Sequence, residues 1–182
     1  PNTFVSTANV AVLCGAKVDF VDIELENYNI CIKTLENKLK NTPKKKLPKI
    51  LIPVHFGGHP CDMKRIYQLS KKYKFKIVED ASHALGAKYH GSMIGDCKYS
   101  DISVFSLHPV KIITPGEGGI VTTNNKNLYH RIKALRSHGI YRNLSKKKNE
   151  LKKKPWMFYQ KELGLNYRLT DIQSSLGISQ LK

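Results

Sequence analysis

Three short apolar runs recur along the chain, with a helical pattern between the first two, and each closes on polar residues. Ile50-Leu51-Ile52 leads to His55, Phe75-Lys76-Ile77-Val78 ends on Glu79-Asp80, and Ile102-Ser103-Val104-Phe105 ends on Ser106. Apolar runs of this length suit buried strands of a parallel sheet. Alternation with helical patterns predicts a βαβ arrangement, an α/β sheet of mainly parallel strands with helices on both faces. In such sheets ligands sit beyond the carboxyl ends of the strands. The polar residues at those ends therefore carry the functional question.

The remaining pattern fills in around these runs. Residues 17–23 alternate polar and apolar as a strand does, and residues 33–40 read as a short polar helix. Asp62 is placed to cap a helix reaching Tyr73, Gly119 to Thr123 reads as a further strand, and a helix is expected from Asn125 to Ser137. Residues 139–165 form a long basic segment, and a last helix begins near Thr170. The chain opens at Pro1 inside an apolar stretch and stops at Lys182 inside a helical pattern, so we expect the middle of a longer protein.

Charge and cysteine usage narrow the class. Lys plus Arg is 31 against 14 Asp plus Glu, a formal +17. That excess suggests nucleic acid or an anionic surface, but only five of these cations are Arg, the side chain suited to bidentate recognition. The densest runs, Lys44-Lys45-Lys46 and Lys146 to Lys154, lie in loop-like segments without interleaved aromatics. A solvated, lysine-biased surface is expected, with no nucleic-acid partner. No apolar run approaches the roughly 18–20 residues that cross a bilayer, so no membrane partner is expected. Cys14, Cys31, Cys61 and Cys97 form no C-x-x-C pair, which speaks against a zinc ribbon or a dithiol motif. Reduced thiols in a cytoplasmic protein are the expectation.

Three segments carry chemistry. In Val78-Glu79-Asp80-Ala81-Ser82-His83-Ala84-Leu85-Gly86, Asp80 at a strand end could bind a metal, a ribose hydroxyl or a protonated ring nitrogen, or could simply cap a turn. Ser106-Leu107-His108-Pro109-Val110-Lys111 sets a hydroxyl and an amine five residues apart on a loop stiffened by Pro109. A desolvated lysine can form a Schiff base with an aldehyde, although a loop lysine is ordinarily solvated surface. Thr114-Pro115-Gly116-Glu117-Gly118-Gly119 is a glycine-rich turn that fits neither the P-loop nor the dinucleotide fingerprint. Taken together, a strand-end carboxylate, a hydroxyl, a lysine and a glycine-rich turn make the layout of a pyridoxal phosphate site.

With these motifs in hand the chain resembles the DegT/DnrJ/EryC1/StrS sugar aminotransferases. The match rests on Glu79 to Gly86 (E-D-A-x-[HQ]-x-x-G), Ser106 to Lys111 (S-[FL]-H-x-x-K), Gly116 to Gly119 (G-E-G-G) and Asn166-Tyr167-Arg168 (N-Y-R). The resemblance implies the large domain of a fold type I pyridoxal phosphate enzyme. Residues 1–182 would be its central part, with an N-terminal segment and a C-terminal small domain absent. It further implies that Lys111 holds the cofactor covalently and shuttles a proton, that Asp80 pairs with the pyridinium nitrogen, and that His83 lies beside the ring hydroxyl. Ser106 would bind the phosphate, and Asn166 would reach the phosphate of a neighbouring subunit in a homodimer with shared sites.

His55-Phe56-Gly57-Gly58, Arg136-Ser137-His138-Gly139-Ile140 and Pro155-Trp156-Met157-Phe158-Tyr159 are similar to the transaminases of pseudaminic acid biosynthesis. That subgroup implies amination at C4 of a UDP-linked 4-keto-6-deoxy-N-acetylhexosamine, with glutamate as donor. Aminotransferases acting on GDP- or dTDP-linked 4-keto sugars share much of this pattern. A related sugar dehydratase is a further reading, which the retained Lys111 opposes. A basic nucleic-acid-binding module is the non-enzyme alternative. Leu107 and Pro115 depart from commoner family residues, and neither is expected to abolish chemistry.

Overall fold

The computed structural model describes residues 2–141 and 156–181. The lysine runs at 146–148 and 152–154, and Pro155 of the aromatic motif, lie outside the described residues. Four strands form the main sheet: β1 (Ile50–Leu51), β2 (Lys76–Asp80), β5 (Ile102–Ser106) and β6 (Gly119–Thr122), in the order β1-β2-β5-β6. The first three run parallel and β6 runs antiparallel to β5. The sheet is thus mixed and mostly parallel. Two small hairpins accompany it, β3 (Lys88–Tyr89) with β4 (Ser92–Met93), and β7 (Ile140–Tyr141) with β8 (Tyr159–Gln160).

Helices α2 (Ile32–Asn41) and α3 (Met63–Tyr73) cover one face. Leu35 and Leu39 from α2, and Met63, Ile66 and Leu69 from α3, pack with Ile77 of β2 into the larger core. The caps form where the side chains placed them. Asp62 accepts from Arg65 N at 3.1 Å to start α3, which stops at Lys74 in the left-handed conformation. Asn125 caps α4 (Lys126–Leu135), and Thr170 with Gln173 closes a capping box on α5 (Asp171–Ser179).

Two expectations need revision, and one helix is added. Residues 17–23 were expected as a strand, but Ile23 makes one bridge, to Ile30, and the rest finds no ladder partner among the described residues. Alternation marks an extended chain, while a ladder needs a neighbour as well. The run at 48–54 pairs only at Ile50–Leu51 and again at Val54 with Asp80, because Pro53 between them has no N–H to donate. Its carbonyl still takes Asp80 N at 2.9 Å. Residues before Leu13 contain a helix not read from sequence, α1 (Ser6–Leu13), which buries no side chain.

Ile66 is fully buried in the α2/α3 core. Ile66→Ala should therefore lower unfolding stability by about 2–5 kcal/mol in urea titrations. A loss below about 1 kcal/mol would contradict this account of the core.

Candidate active site at the carboxyl ends of the strands

Strand alternation sends neighbouring side chains to opposite faces of a sheet, and at the end of β2 it separates Glu79 from Asp80. Glu79 joins Ile77 on the helix-covered face and is buried. Its carboxylate accepts from His55 Nε2 at 2.8 Å, from Ser103 Oγ at 2.7 Å, and from Ser100 Oγ. His55 is itself fully buried, and its Nδ1 accepts from Cys61 N at 3.1 Å. The ring proton is thereby fixed on Nε2, where it donates to Glu79. Burial works against the Glu79 charge, but the hydrogen bonds from His55, Ser100 and Ser103 outweigh it and hold the carboxyl below its ordinary range. Burial also pushes the Cys61 thiol up to about 12, so it is no nucleophile at neutral pH.

Asp80 faces the other side, half-buried. Its Oδ1 accepts from Ser82 N at 3.2 Å and Ser82 Oγ at 2.6 Å, and its Oδ2 accepts from Thr7 Oγ1 at 2.6 Å. None of the ion pairs among the described residues involves Asp80. Nor does any group of three metal-ligating side chains gather among them.

His83 follows Asp80 by one turn. The Gly57 N–H points at its Nδ1 at 3.3 Å, and the Phe56 ring meets its imidazole edge-on at 6.1 Å between centroids. Gly58 has φ +84°, and a Cβ there would lie 2.7 Å from the His83 carbonyl oxygen. Only glycine therefore lets the His55–Gly58 turn close over His83.

Ser106 ends β5 on the same face as Asp80, because Asp80 registers with Val104 and Ser106 lies two residues further on. Its Oγ accepts from His108 N at 3.3 Å. Lys111 is half-buried on the loop that follows, where its backbone N–H bonds the His108 carbonyl at 2.9 Å. No carboxylate pairs with its ammonium among the described residues. Thr114 pins this loop by donating to the Leu107 carbonyl at 2.9 Å and accepting from Gly116 N at 3.0 Å. Pro115, one of the two departures noted above, is buried, with its ring close to Gly118 and Gly177 of α5. It seats the glycine-rich turn.

Asp80 and Ser106 thus stand at the carboxyl ends of adjacent parallel strands, and His83 and Lys111 lie on the segments that leave those ends. Asn166 lies on a different segment, where it bridges Ser137 through its backbone and is exposed. Two contributors escaped the sequence reading, Thr7 and the His55–Glu79 pair. Thr7 gives no local signal, since its partner lies 73 residues away.

These groups fit pyridoxal phosphate in kind: a carboxylate to accept from a ring N–H, an imidazole for a ring hydroxyl, a hydroxyl for phosphate and an amine for an aldehyde. No described helix is long and apolar enough to cross a membrane.

Glu79→Gln tests the buried network. It should cost about 1–3 kcal/mol at pH 7, since Gln keeps the His55 bond but loses the charge-assisted ones. A carboxyl lowered on folding stabilises above its unfolded value of about 4.3, and the benefit is lost as pH falls through the folded value. The gap between variant and parent in urea titrations should accordingly close below about pH 4. A gap that is constant down to pH 3 would contradict the charged network.

Comparison with known proteins follows the same lines. The sequence profile of the DegT/DnrJ/EryC1/StrS aminotransferase family matches residues 1–182. A UDP-4-amino-4,6-dideoxy-N-acetyl-beta-L-altrosamine transaminase of Campylobacter jejuni is 47% identical over 183 residues, covering 100% of this chain and 44% of the relative. Helicobacter pylori PseC, an aminotransferase involved in the biosynthesis of pseudoaminic acid, superposes with a TM-score of 0.83 at 34% identity, over 98% of this chain and 43% of that one. A putative sugar aminotransferase of Streptococcus pneumoniae in its PLP form gives 0.79 at 28% identity, over 98% of this chain and 46% of that one. The chain spans less than half the length of each.

Proposed function

The chain belongs to the DegT/DnrJ/EryC1/StrS aminotransferase family, and from that footing we propose that it is the central part of the pyridoxal phosphate-binding large domain of a nucleotide-sugar aminotransferase. The reaction is amino transfer from glutamate to C4 of a UDP-linked 4-keto-6-deoxy-N-acetylhexosamine, and the name of the Campylobacter relative supports its UDP-linked 4-amino-4,6-dideoxy product. The observation that carries the reading is Asp80, a strand-end carboxylate bound by three neutral donors and, among the described residues, by no cation. It retains one acceptor position for a protonated ring nitrogen.

Each residue has a task that its surroundings support. When bound, the cofactor supplies an electron sink for the carbon that loses and gains a proton. Asp80 keeps the ring nitrogen protonated. His83 accepts the Gly57 N–H on Nδ1, which leaves Nε2–H to donate to the ring hydroxyl. Ser106 takes the His108 N–H on a lone pair, and its own O–H remains for phosphate. Lys111 Nζ would hold the aldehyde end of the cofactor, and the same amine would take up and return a proton in both half-reactions. Asn166, which is exposed, would serve the phosphate of a second copy, making the active unit a homodimer with shared sites.

The test uses the complete protein. Pyridoxal phosphate should give a visible absorption band that Lys111→Ala abolishes, and turnover should fall at least about a thousandfold. Absence of a band in the parent protein would remove the cofactor reading. Product analysis with UDP- and GDP-linked 4-keto sugars then decides the substrate. The isolated 182-residue chain should not turn over.

A further inference from the structure

Building on the cofactor reading, we propose that Thr7 is a positioning residue whose hydroxyl fixes Asp80 so that Oδ2, and not Oδ1, receives the ring N–H. An ionised carboxylate offers about four lone-pair positions, two on each oxygen. Oδ1 already accepts two donors, the N–H of Ser82 at 3.2 Å and its Oγ–H at 2.6 Å. Oδ2 accepts one, Thr7 Oγ1 at 2.6 Å. One position remains open, and it lies on the oxygen that Thr7 holds.

The direction of the hydrogen bonds follows from counting protons. Thr7 has a single O–H, and a carboxylate can only accept, so that proton points at Asp80. Thr3 Oγ1 lies 3.2 Å from Thr7 Oγ1. With the Thr7 proton committed, the Thr3 hydroxyl must be the donor of that pair. The result is an ordered relay, Thr3 to Thr7 to Asp80, in which each bond polarises the next. Helix α1 buries no side chain, so the link from Thr7 is not a by-product of core packing. Two anchors therefore fix the carboxylate plane, Ser82 from its own turn and Thr7 from a helix 73 residues earlier.

A positioning role and a structural one are separated by a cofactor analogue in which C–H replaces the ring nitrogen. In the complete protein, Thr7→Val should weaken equilibrium binding of pyridoxal phosphate about tenfold, the loss expected for one hydrogen bond to a charged group. The same variant should bind the deaza analogue as the parent does, because that ligand never engages Oδ2. Thr7→Ser, which keeps the hydroxyl, should restore parental affinity. Should the valine variant not fold, Thr7→Ala should give the same selective loss. Equal weakening of both ligands, or no weakening of either, overturns the role of Thr7 while leaving the cofactor reading intact. A parent protein that does not bind pyridoxal phosphate overturns both.

Discussion

The site depends on the two-residue period of β2. At the carboxyl end of that strand, one acidic residue turns into the core and the next turns toward the open face. The buried carboxylate of Glu79 ties three pieces of chain together: the His55 turn after β1, the Ser100 approach to β5 and Ser103 within β5. Parallel strands joined only by crossovers have no hairpin to hold their ends in line. A buried carboxylate with three donors does that here. A one-residue slip of β2 would bury Asp80 and expose Glu79, so the register that builds the core also aims the site.

The same turn reaches His83 through packing. His55 opens the Phe56–Gly58 turn, whose backbone meets His83 Nδ1 and whose Gly58 lies against the His83 carbonyl. Asn29 holds that turn from the far side, accepting from Phe56 N and donating to the His59 carbonyl, both at 2.9 Å. His55 therefore belongs to the scaffold beneath the site, and His83 to the site itself. Both were visible as histidines near strand ends, and only their neighbours tell them apart.

What could be read from sequence was what is local. Asp62, Asn125 and Thr170 announce their helices because a cap is satisfied within three residues. Asp80, Ser106 and Lys111 were found because apolar runs mark strand ends and ligand edges lie there. Non-local partners left no trace. The antiparallel direction of β6 is set by its pairing with β5, and the ladderless stretch before Ile23 by the want of a neighbour. Thr7 looks like any residue of an apolar stretch until α1 folds and brings it to Asp80. Asn166 was singled out by motif alone, and its bridge to Ser137 is a property of tertiary structure.

Against the charge of the whole chain, the isolation of Asp80 gains weight. With 31 Lys and Arg to 14 acids, a half-buried carboxylate has many cations within evolutionary reach. Asp19, Glu36, Asp101 and Glu162 have each acquired one. Asp80 instead is surrounded by hydroxyls and a backbone N–H, donors that stabilise negative charge without neutralising it. A lysine placed there would close the last lone-pair position and hold it against any other cation. Neutral donors orient the carboxylate while leaving that position open. This is the arrangement a site needs when the positive charge arrives with the ligand.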